Sequence, residues 1–242
     1  MADWFRKRFK PNELSERIGE AVDGLWVKCP KCAEIQYASE LERNLKVCKK
    51  CSYHFRLTAW ERLAQLADNP HAFERWDENL ATTNPLDFPQ YLEKLQSHRD
   101  KTGLSEASLT GRCEIGGVPV ALGITDAHFK MGTMNSVVGE RLARCAERAM
   151  DENIPLVFVC GSGGGARMEE GILSLMQMAK TAAVLGHFRE KTNRLYISVL
   201  TDPSMGGTLA SWASLGDIIF AEPGAMIGFA GQRVSAQVQS AK

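Results

Sequence analysis

Four cysteines in two tight pairs constrain this chain more than any other feature of its sequence. Cys29-Pro30-Lys31-Cys32 and Cys48-Lys49-Lys50-Cys51 are C-x-x-C knuckles separated by fifteen residues. Two residues between thiolates let one tight turn aim both sulfurs at a single ion. The longer gap, read as a hairpin, brings the second pair round to complete a tetrahedron. The pattern predicts one structural Zn²⁺ held by Cys29, Cys32, Cys48 and Cys51, with no open catalytic position because four thiolates fill the ion's shell. A segment this short cannot hold itself together by apolar burial, so the metal supplies much of its folding energy. Seven cysteines in all, an odd number, argue against a disulfide framework. Cys113, Cys145 and Cys160 are scattered among apolar neighbours and read as small buried hydrophobes. A redox role fits poorly, since neither pair opens a helix after a buried strand.

A nucleic-acid-binding ribbon is the rival reading of this segment. Lys28, Lys31, Arg43, Lys46, Lys49, Lys50, Arg56 and Arg62 outnumber Glu34, Glu40, Glu42 and Glu61, with Tyr37, Tyr53 and Phe55 interleaved. Four thiolates around one divalent ion carry net negative charge, which offsets part of that excess and leaves nucleic acid as a secondary partner. Over the whole chain 29 basic residues balance 29 acidic ones, so no global field calls for a polyanion. No apolar run approaches the ~20 residues of a membrane span. The basic start, Met1 to Arg8, leads into Phe9-Lys10-Pro11-Asn12 and not into an apolar signal core. The expected location is the cytoplasm, with no membrane contact.

The 242 residues leave room for a small module and a larger domain. Residues 1–24 read as an irregular lead, 25–57 as the ribbon, 58–108 as a helical connection and 109–242 as the main domain. Thr58 caps a helix with Trp60, Leu63, Ala64 and Ala67 on one face. Asn69 to Asp87 reads as connection, and Tyr91, Leu92 and Leu95 mark another short helix. Thr110 to Ile124 predicts two strands around the Gly116-Gly117 turn. Ser136 caps a helix whose inner face is Val138, Leu142, Cys145, Ala146 and Ala149. Ile154 to Cys160 is an unbroken apolar run, the mark of a strand covered on both faces. A helix from Ala166 to about Arg189, a strand over Leu195–Leu200, a helix over Thr208–Leu215 and a strand over Ile218–Phe220 follow. Such alternation implies parallel pairing with right-handed crossovers, an α/β domain.

Two glycine loops stand where predicted strands end. The first is Gly161-Ser162-Gly163-Gly164-Gly165-Ala166-Arg167; the second is Thr201-Asp202-Pro203-Ser204-Met205-Gly206-Gly207-Thr208. Glycine lets backbone N–H groups approach an incoming oxygen closely, and the start of a helix favours negative charge. In an open α/β sheet such loops gather at the carboxyl edge, where two sets of donors suit an enolate or a developing alkoxide. A phosphate loop is excluded because no lysine follows these glycines. Gly161 to Ala166 formally matches a dinucleotide fingerprint, but the acidic ribose ligand has no counterpart closing a second strand. Glycines needed only for tight turns remain the plain alternative. His54, His71, His98, His128 and His187 are isolated, and Ser162 lies in no nucleophile elbow. Any chemistry must therefore rest on backbone amides.

The cysteine module together with LERNLKVCKKC, MGTMNSVVGER, GGGARMEEGILSLMQMAKTAA, YISVLTDPSMGGTLAS and IGFAG resembles one family, the carboxyltransferase β subunits of bacterial-type acetyl-CoA carboxylase. The similarity runs from about residue 25 to 231. It implies a ClpP/crotonase-like domain behind a zinc ribbon, paired with an α subunit of the same fold (an α2β2 assembly) with the active site at their interface. It further implies that a carboxyl group passes from carboxybiotin, borne in trans on the biotin carboxyl carrier protein, to acetyl-CoA, giving malonyl-CoA for fatty acid synthesis. A biotin carboxylase belongs to the wider complex, and ATP and nucleotide binding come with the family's general attributes. By carry-over, Gly206 and Gly207 stabilise the oxyanion, while Gly164, Gly165 and Ala166 lie against the acyl-CoA. The base would be the ureido nitrogen of biotin, which accounts for the missing side-chain base. The sequence departs from the family twice. The Ser-Gly-Gly-Ala-Arg loop carries an additional glycine here, which would loosen or shift its donor, and residues 232–242 keep little of the family's continuation, so the chain reads as C-terminally shortened.

Overall fold

The structure, a computed structural model, describes residues 25–230. The lead expected over 1–24 and the departure over 232–242 lie outside them. The described chain forms two compact units, one ending at Phe55 and the other beginning at Arg56.

In the first unit, β1 (Trp26–Lys28) pairs antiparallel with β2 (Ile35–Tyr37). The two knuckles are built alike. Cys29 N–H donates to Glu34 O and Ala33 N–H to Cys29 O; Cys48 N–H donates to Tyr53 O and Ser52 N–H to Cys48 O. Each turn closes on a left-handed residue, Ala33 at φ 59° and Ser52 at φ 56°. The gap between knuckles is more than the expected hairpin, because it also carries α1 (Ala38–Arg43), which buries Leu41. A helix fits there because one buried leucine gives this metal-sized module a small apolar centre.

The second unit is built on a mixed sheet. In spatial order it runs β3 (Glu74–Arg75), β4 (Ser108–Ile115), β5 (Val118–Thr125), β6 (Leu156–Ser162), β7 (Tyr196–Met205) and β8 (Ile218–Ala221), with β9 (Ile227–Gly228) against the end of β7. β4 and β5 form the predicted hairpin around Gly116-Gly117, whose N–H groups both donate to the Asp68 carboxylate. β5, β6, β7 and β8 are parallel, as the alternation required. Every residue of β6 is buried, which explains its unbroken apolar sequence. Phe158 on this strand meets Tyr196 and Trp212 edge-on at 5.4 and 5.8 Å.

Helices cover the sheet. α2 (Ala59–Leu66) starts with a full capping box, the Thr58 side chain accepting from Glu61 N–H while the Glu61 carboxylate accepts from Thr58 N–H. Ala59, Leu63 and Ala67 are buried, but Ala64 is exposed; the inner face is turned by one position from the expected one. α3 (Tyr91–Thr102) follows. α4 (Ser136–Glu152) buries Val138, Leu142, Cys145, Ala146 and Ala149 as expected, but its cap is Asn135, whose Oδ1 accepts from Val138 N–H. Ser136 sits one residue inside and gives its own N–H to Glu170. Cys113, Cys145 and Cys160 are buried thiols, and burial pushes Cys145 and Cys160 upward in pKa.

Two helices differ from expectation. The stretch after the first glycine loop does not enter a helix at Ala166. Ala166 bridges to Met134, residues 168–170 make a single 3₁₀ turn, and α5 (Gly171–Lys191) begins at a glycine with φ 50°. The helix is delayed because Arg167 turns inward to a buried carboxylate. The second shrinks to α6 (Gly206–Leu209) and a 3₁₀ turn over Trp212–Ser214. Thr201 to Met205, expected as loop, extends β7, since Ser204 pairs with both Ser162 and Ile227.

Candidate active site

Parallel pairing of β6 with β7 sets the geometry of the site. Ser162 and Ser204 are in register at the carboxyl ends of these strands, so the segments that follow leave the sheet side by side. A Cβ on Gly165 would stand 2.8 Å from Gly207 N and 3.3 Å from Gly206 Cα. One on Gly206 would stand 3.1 Å from Gly165 Cα, and both glycines have positive φ, 62° in each case. Only glycine satisfies the conformation and the contact together. One on Gly207 would lie 3.5 Å from Ala166 N and 2.9 Å from Met178 Sδ. The five residues singled out in the two loops, Gly164, Gly165, Ala166, Gly206 and Gly207, thus form one corner.

Its donors are individual amides. Among the described residues, the Gly164 and Gly165 N–H groups have no acceptor within hydrogen-bond reach, whereas Gly163 N–H is engaged by Met131 O at 2.9 Å. The expected help from a helix start is absent at the first loop, because α5 begins at Gly171. At the second, a four-residue helix contributes little macrodipole. Ser162 is buried at the strand end and offers no exposed nucleophile.

Beneath the first loop lies a buried polar cluster that sequence reasoning missed. Arg167, fully buried, donates Nη2 to Glu106 Oε1 at 2.8 Å, Nη1 to Tyr91 Oη at 3.1 Å and Nε to Thr133 Oγ1 at 3.0 Å. Glu170 accepts from Thr82 Oγ1, Tyr91 Oη, Asn135 Nδ2 and Ser136 N–H at 2.6 to 3.1 Å. Burial alone would raise Glu170, but the Ser136, Thr82 and Tyr91 hydrogen bonds hold it below the ordinary carboxylate range. Burial opposes the charge on Arg167 too, and Glu106 more than restores it. Burial, only partly countered by Arg167, pushes the Tyr91 phenol up to about 12. A paired, hydrogen-bonded cluster of this kind fixes the position of the loop that carries it. The only sequence signal was an Arg-Met-Glu-Glu run one residue beyond the glycines, and nothing local says which of its charges turns inward.

The same Arg167 bears on nucleotide binding at this loop. Where a phosphate loop places a lysine and a hydroxyl at a helix start, this loop places Ala166 and Arg167, and Arg167 is engaged by Glu106. The first glycine loop therefore lends no support to the ATP and nucleotide binding brought along by the resemblance.

In the cysteine unit the four Sγ atoms lie within 4.8 Å of one another. Cys29 and Cys51 are 3.6 Å apart at sulfur, Cys32 and Cys48 3.7 Å. Four Zn–S bonds of about 2.3 Å at tetrahedral angles require about 3.8 Å, so the residues fit the ion. Gln36 Nε2 donates to Cys48 Sγ at 3.1 Å, a partner that steadies a thiolate ligand. The basic surface is weaker than its sequence suggested. Lys49 and Lys50 pair with Glu40 and Glu34, and Arg56 and Arg62 belong to the other unit, where they meet Asp202 and Glu222.

Two family models match this chain: "Carboxyl transferase domain" over residues 73–241 and "Acetyl-CoA carboxylase zinc finger domain" over residues 26–51. The acetyl-coenzyme A carboxylase carboxyl transferase subunit beta of Desulforamulus reducens is 57% identical, over 89% of this chain and 74% of the relative. The chain belongs to the acetyl-CoA carboxylase carboxyl transferase β-subunit family. The equivalent subunit of Synechococcus sp. (strain JA-3-3Ab) is 48% identical, over 98% of this chain and 79% of its own length. Among solved structures, transcarboxylase 12S superposes with a TM-score of 0.63 at 22% identity, covering 95% of this chain and 38% of that one. The Pseudomonas malonate decarboxylase MdcD–MdcE heterodimer gives 0.58 at 21% identity, covering 77% and 71%. These likenesses establish the crotonase-like α/β fold. The chain is a carboxyl transferase subunit with a four-cysteine zinc ribbon, and the nucleic-acid-binding alternative falls away as its main role. No helix among the described residues is long and apolar enough to cross a membrane.

Proposed function

We propose that this β subunit transfers the carboxyl group from carboxybiotin on a carrier protein to acetyl-CoA, giving malonyl-CoA. The observation that carries the reading is the contact of Gly165 with Gly206 and Gly207 at the ends of two parallel strands. Taking a proton from the α-carbon of a thioester places negative charge on its oxygen. The Gly164 and Gly165 amides, unpartnered among the described residues, are suited to receive that oxygen beside Gly206 and Gly207, with Ala166 closing the acyl-CoA side. They are preset, because the buried Arg167–Glu106 pair and the glycine-to-glycine contact leave the loop little freedom. Carboxybiotin, when bound, supplies the carboxyl group and, after its release, the nitrogen that accepts the α-proton. This matches a corner with no side-chain base. The zinc held by Cys29, Cys32, Cys48 and Cys51 supplies folding energy and no step of the reaction.

The subunit works with an α subunit, in an α2β2 assembly served by the biotin carboxyl carrier protein and a biotin carboxylase. An apolar stripe supports a subunit contact: Met168, Ile172, Leu175 and Met176 are all exposed, the last three at helical spacing on α5. Free cysteines and the absence of a spanning helix among the described residues agree with a cytoplasmic setting. The test is reconstitution with the α subunit, carboxylated carrier and acetyl-CoA, with malonyl-CoA as the readout. Removing an oxyanion donor costs about 10²–10³ in kcat, so Gly206→Val, which both misplaces the amide and strains φ, should lower turnover at least that far. Wild-type turnover in this variant removes the glycine corner from the mechanism.

A further inference from the structure

The strap joining β5 to α4 passes over the same corner in an unusual conformation. Lys130, Met131 and Gly132 are consecutively left-handed, with φ of 48°, 58° and 64°. Two of the three carry side chains that disfavour this region, so the surroundings must enforce it. They do so on both flanks. Lys130 Nζ pairs with Glu169, and Thr133 accepts Arg167 through both its hydroxyl and its carbonyl oxygen. Gly132 lies so close to β6 that a Cβ there would be 2.1 Å from Gly161 O. Met131 itself is tied by its carbonyl oxygen to Gly163 N–H. The backbone of the strap is clamped, and its centre is Met131.

The Met131 side chain is 48% exposed and lies across the glycine loop. Its Cε is 2.9 Å from where a Cβ on Gly163 would stand, and its Cβ is 3.7 Å from the corresponding place on Gly164. A flexible, polarisable thioether held over backbone amides is poorly used as packing, since half of it faces solvent. It is well used as the apolar wall of a small site. We infer that Met131 sets the size of acyl group the site accepts, by covering the Gly163–Gly164 side of the loop where a substituent on the thioester's α-carbon would lie. The inference rests on the reading that this loop receives the acyl-CoA thioester.

The test compares kcat/KM for acetyl-CoA, propionyl-CoA and butyryl-CoA in the reconstituted αβ complex carrying wild-type chain, Met131→Ala or Met131→Phe. One methylene in an apolar site is worth about 10- to 200-fold in discrimination. Met131→Ala should raise the propionyl-to-acetyl ratio about tenfold or more, and Met131→Phe should lower it. Each ratio is taken on one preparation, so a partly unfolded stock does not move it. Ratios unmoved in both variants overturn the inference. A second measurement needs no variant: saturating acetyl-CoA should slow peroxide oxidation of Met131 in the wild-type complex severalfold, and an unchanged rate overturns it equally. Gly206→Val keeps the two readings apart. Lost turnover there with unmoved ratios at Met131 removes only the role of Met131, whereas retained turnover there removes the loop reading beneath it.

Discussion

The ribbon and the glycine corner solve the same problem with opposite materials. Each brings two tight turns, distant in sequence, to within a few ångströms. In the ribbon the converging groups are side-chain sulfurs, 3.6 Å apart for Cys29 and Cys51 and 3.7 Å for Cys32 and Cys48, and their residue type states their chemistry. At the corner the converging groups are backbone amides, made available by the absence of side chains at Gly165, Gly206 and Gly207. The ribbon is held by a metal that it binds. The corner is held by a packed sheet and a buried ion-pair cluster that it does not itself contain. A site written in side chains is therefore legible residue by residue, whereas one written in the backbone is legible only once its supports are known.

The sharpest way to break this comparison is to take the metal away. Structural zinc sites of this kind carry about 10–16 kcal/mol of apparent binding free energy, all of it coupled to folding. Chelation, or Cys48→Ser, should unfold residues 25–55 while the unit from Arg56 onward keeps its strands. Limited proteolysis with zinc quantification reads this directly. A ribbon that stays protected without zinc would erase the contrast.

The next test strikes the support beneath the corner. Arg167→Met leaves Glu106 buried without its cation, and breaking such a pair costs about 3–5 kcal/mol. The chemical denaturation midpoint of the second unit should fall accordingly, with the ribbon's zinc retained. The cluster also sets an acid limit. Because Glu170 is lowered in the folded state, its stabilisation is complete above the ordinary value of 4.5 and is lost as pH falls through the lowered one. Denaturation midpoints measured against pH should decline on that acid side for the wild type and less steeply for Glu170→Gln.

The smallest effect should come from a purely local device. Thr58→Ala removes the capping box of α2 and should cost about 1 kcal/mol, leaving both zinc content and turnover unchanged. A loss of activity larger than the loss of stability would show that α2 contributes to the corner, which its position as a cap does not predict.

Much of this molecule could be read before its coordinates. Cys29, Cys32, Cys48 and Cys51 declare a metal by type and spacing, and Thr58 declares a helix start. The apolar run ending at Cys160 declares a doubly covered strand. Each of these rests on neighbours a few residues apart, where local sterics and hydrogen bonding decide the outcome. Tertiary structure decided the rest. The delay of α5 to Gly171 depends on Arg167 finding Glu106, a residue far upstream that no periodicity connects to it. The meeting of Gly165 with Gly206 and Gly207 depends on the register of β6 against β7, and the clamp on Met131 depends on partners between Gly161 and Glu169, well downstream of it in the chain. Local chemistry nominates candidates because it acts through bonds and single turns. Only packing decides which backbone amides are left open to a ligand, because that is settled by whatever else the folded chain brings against them.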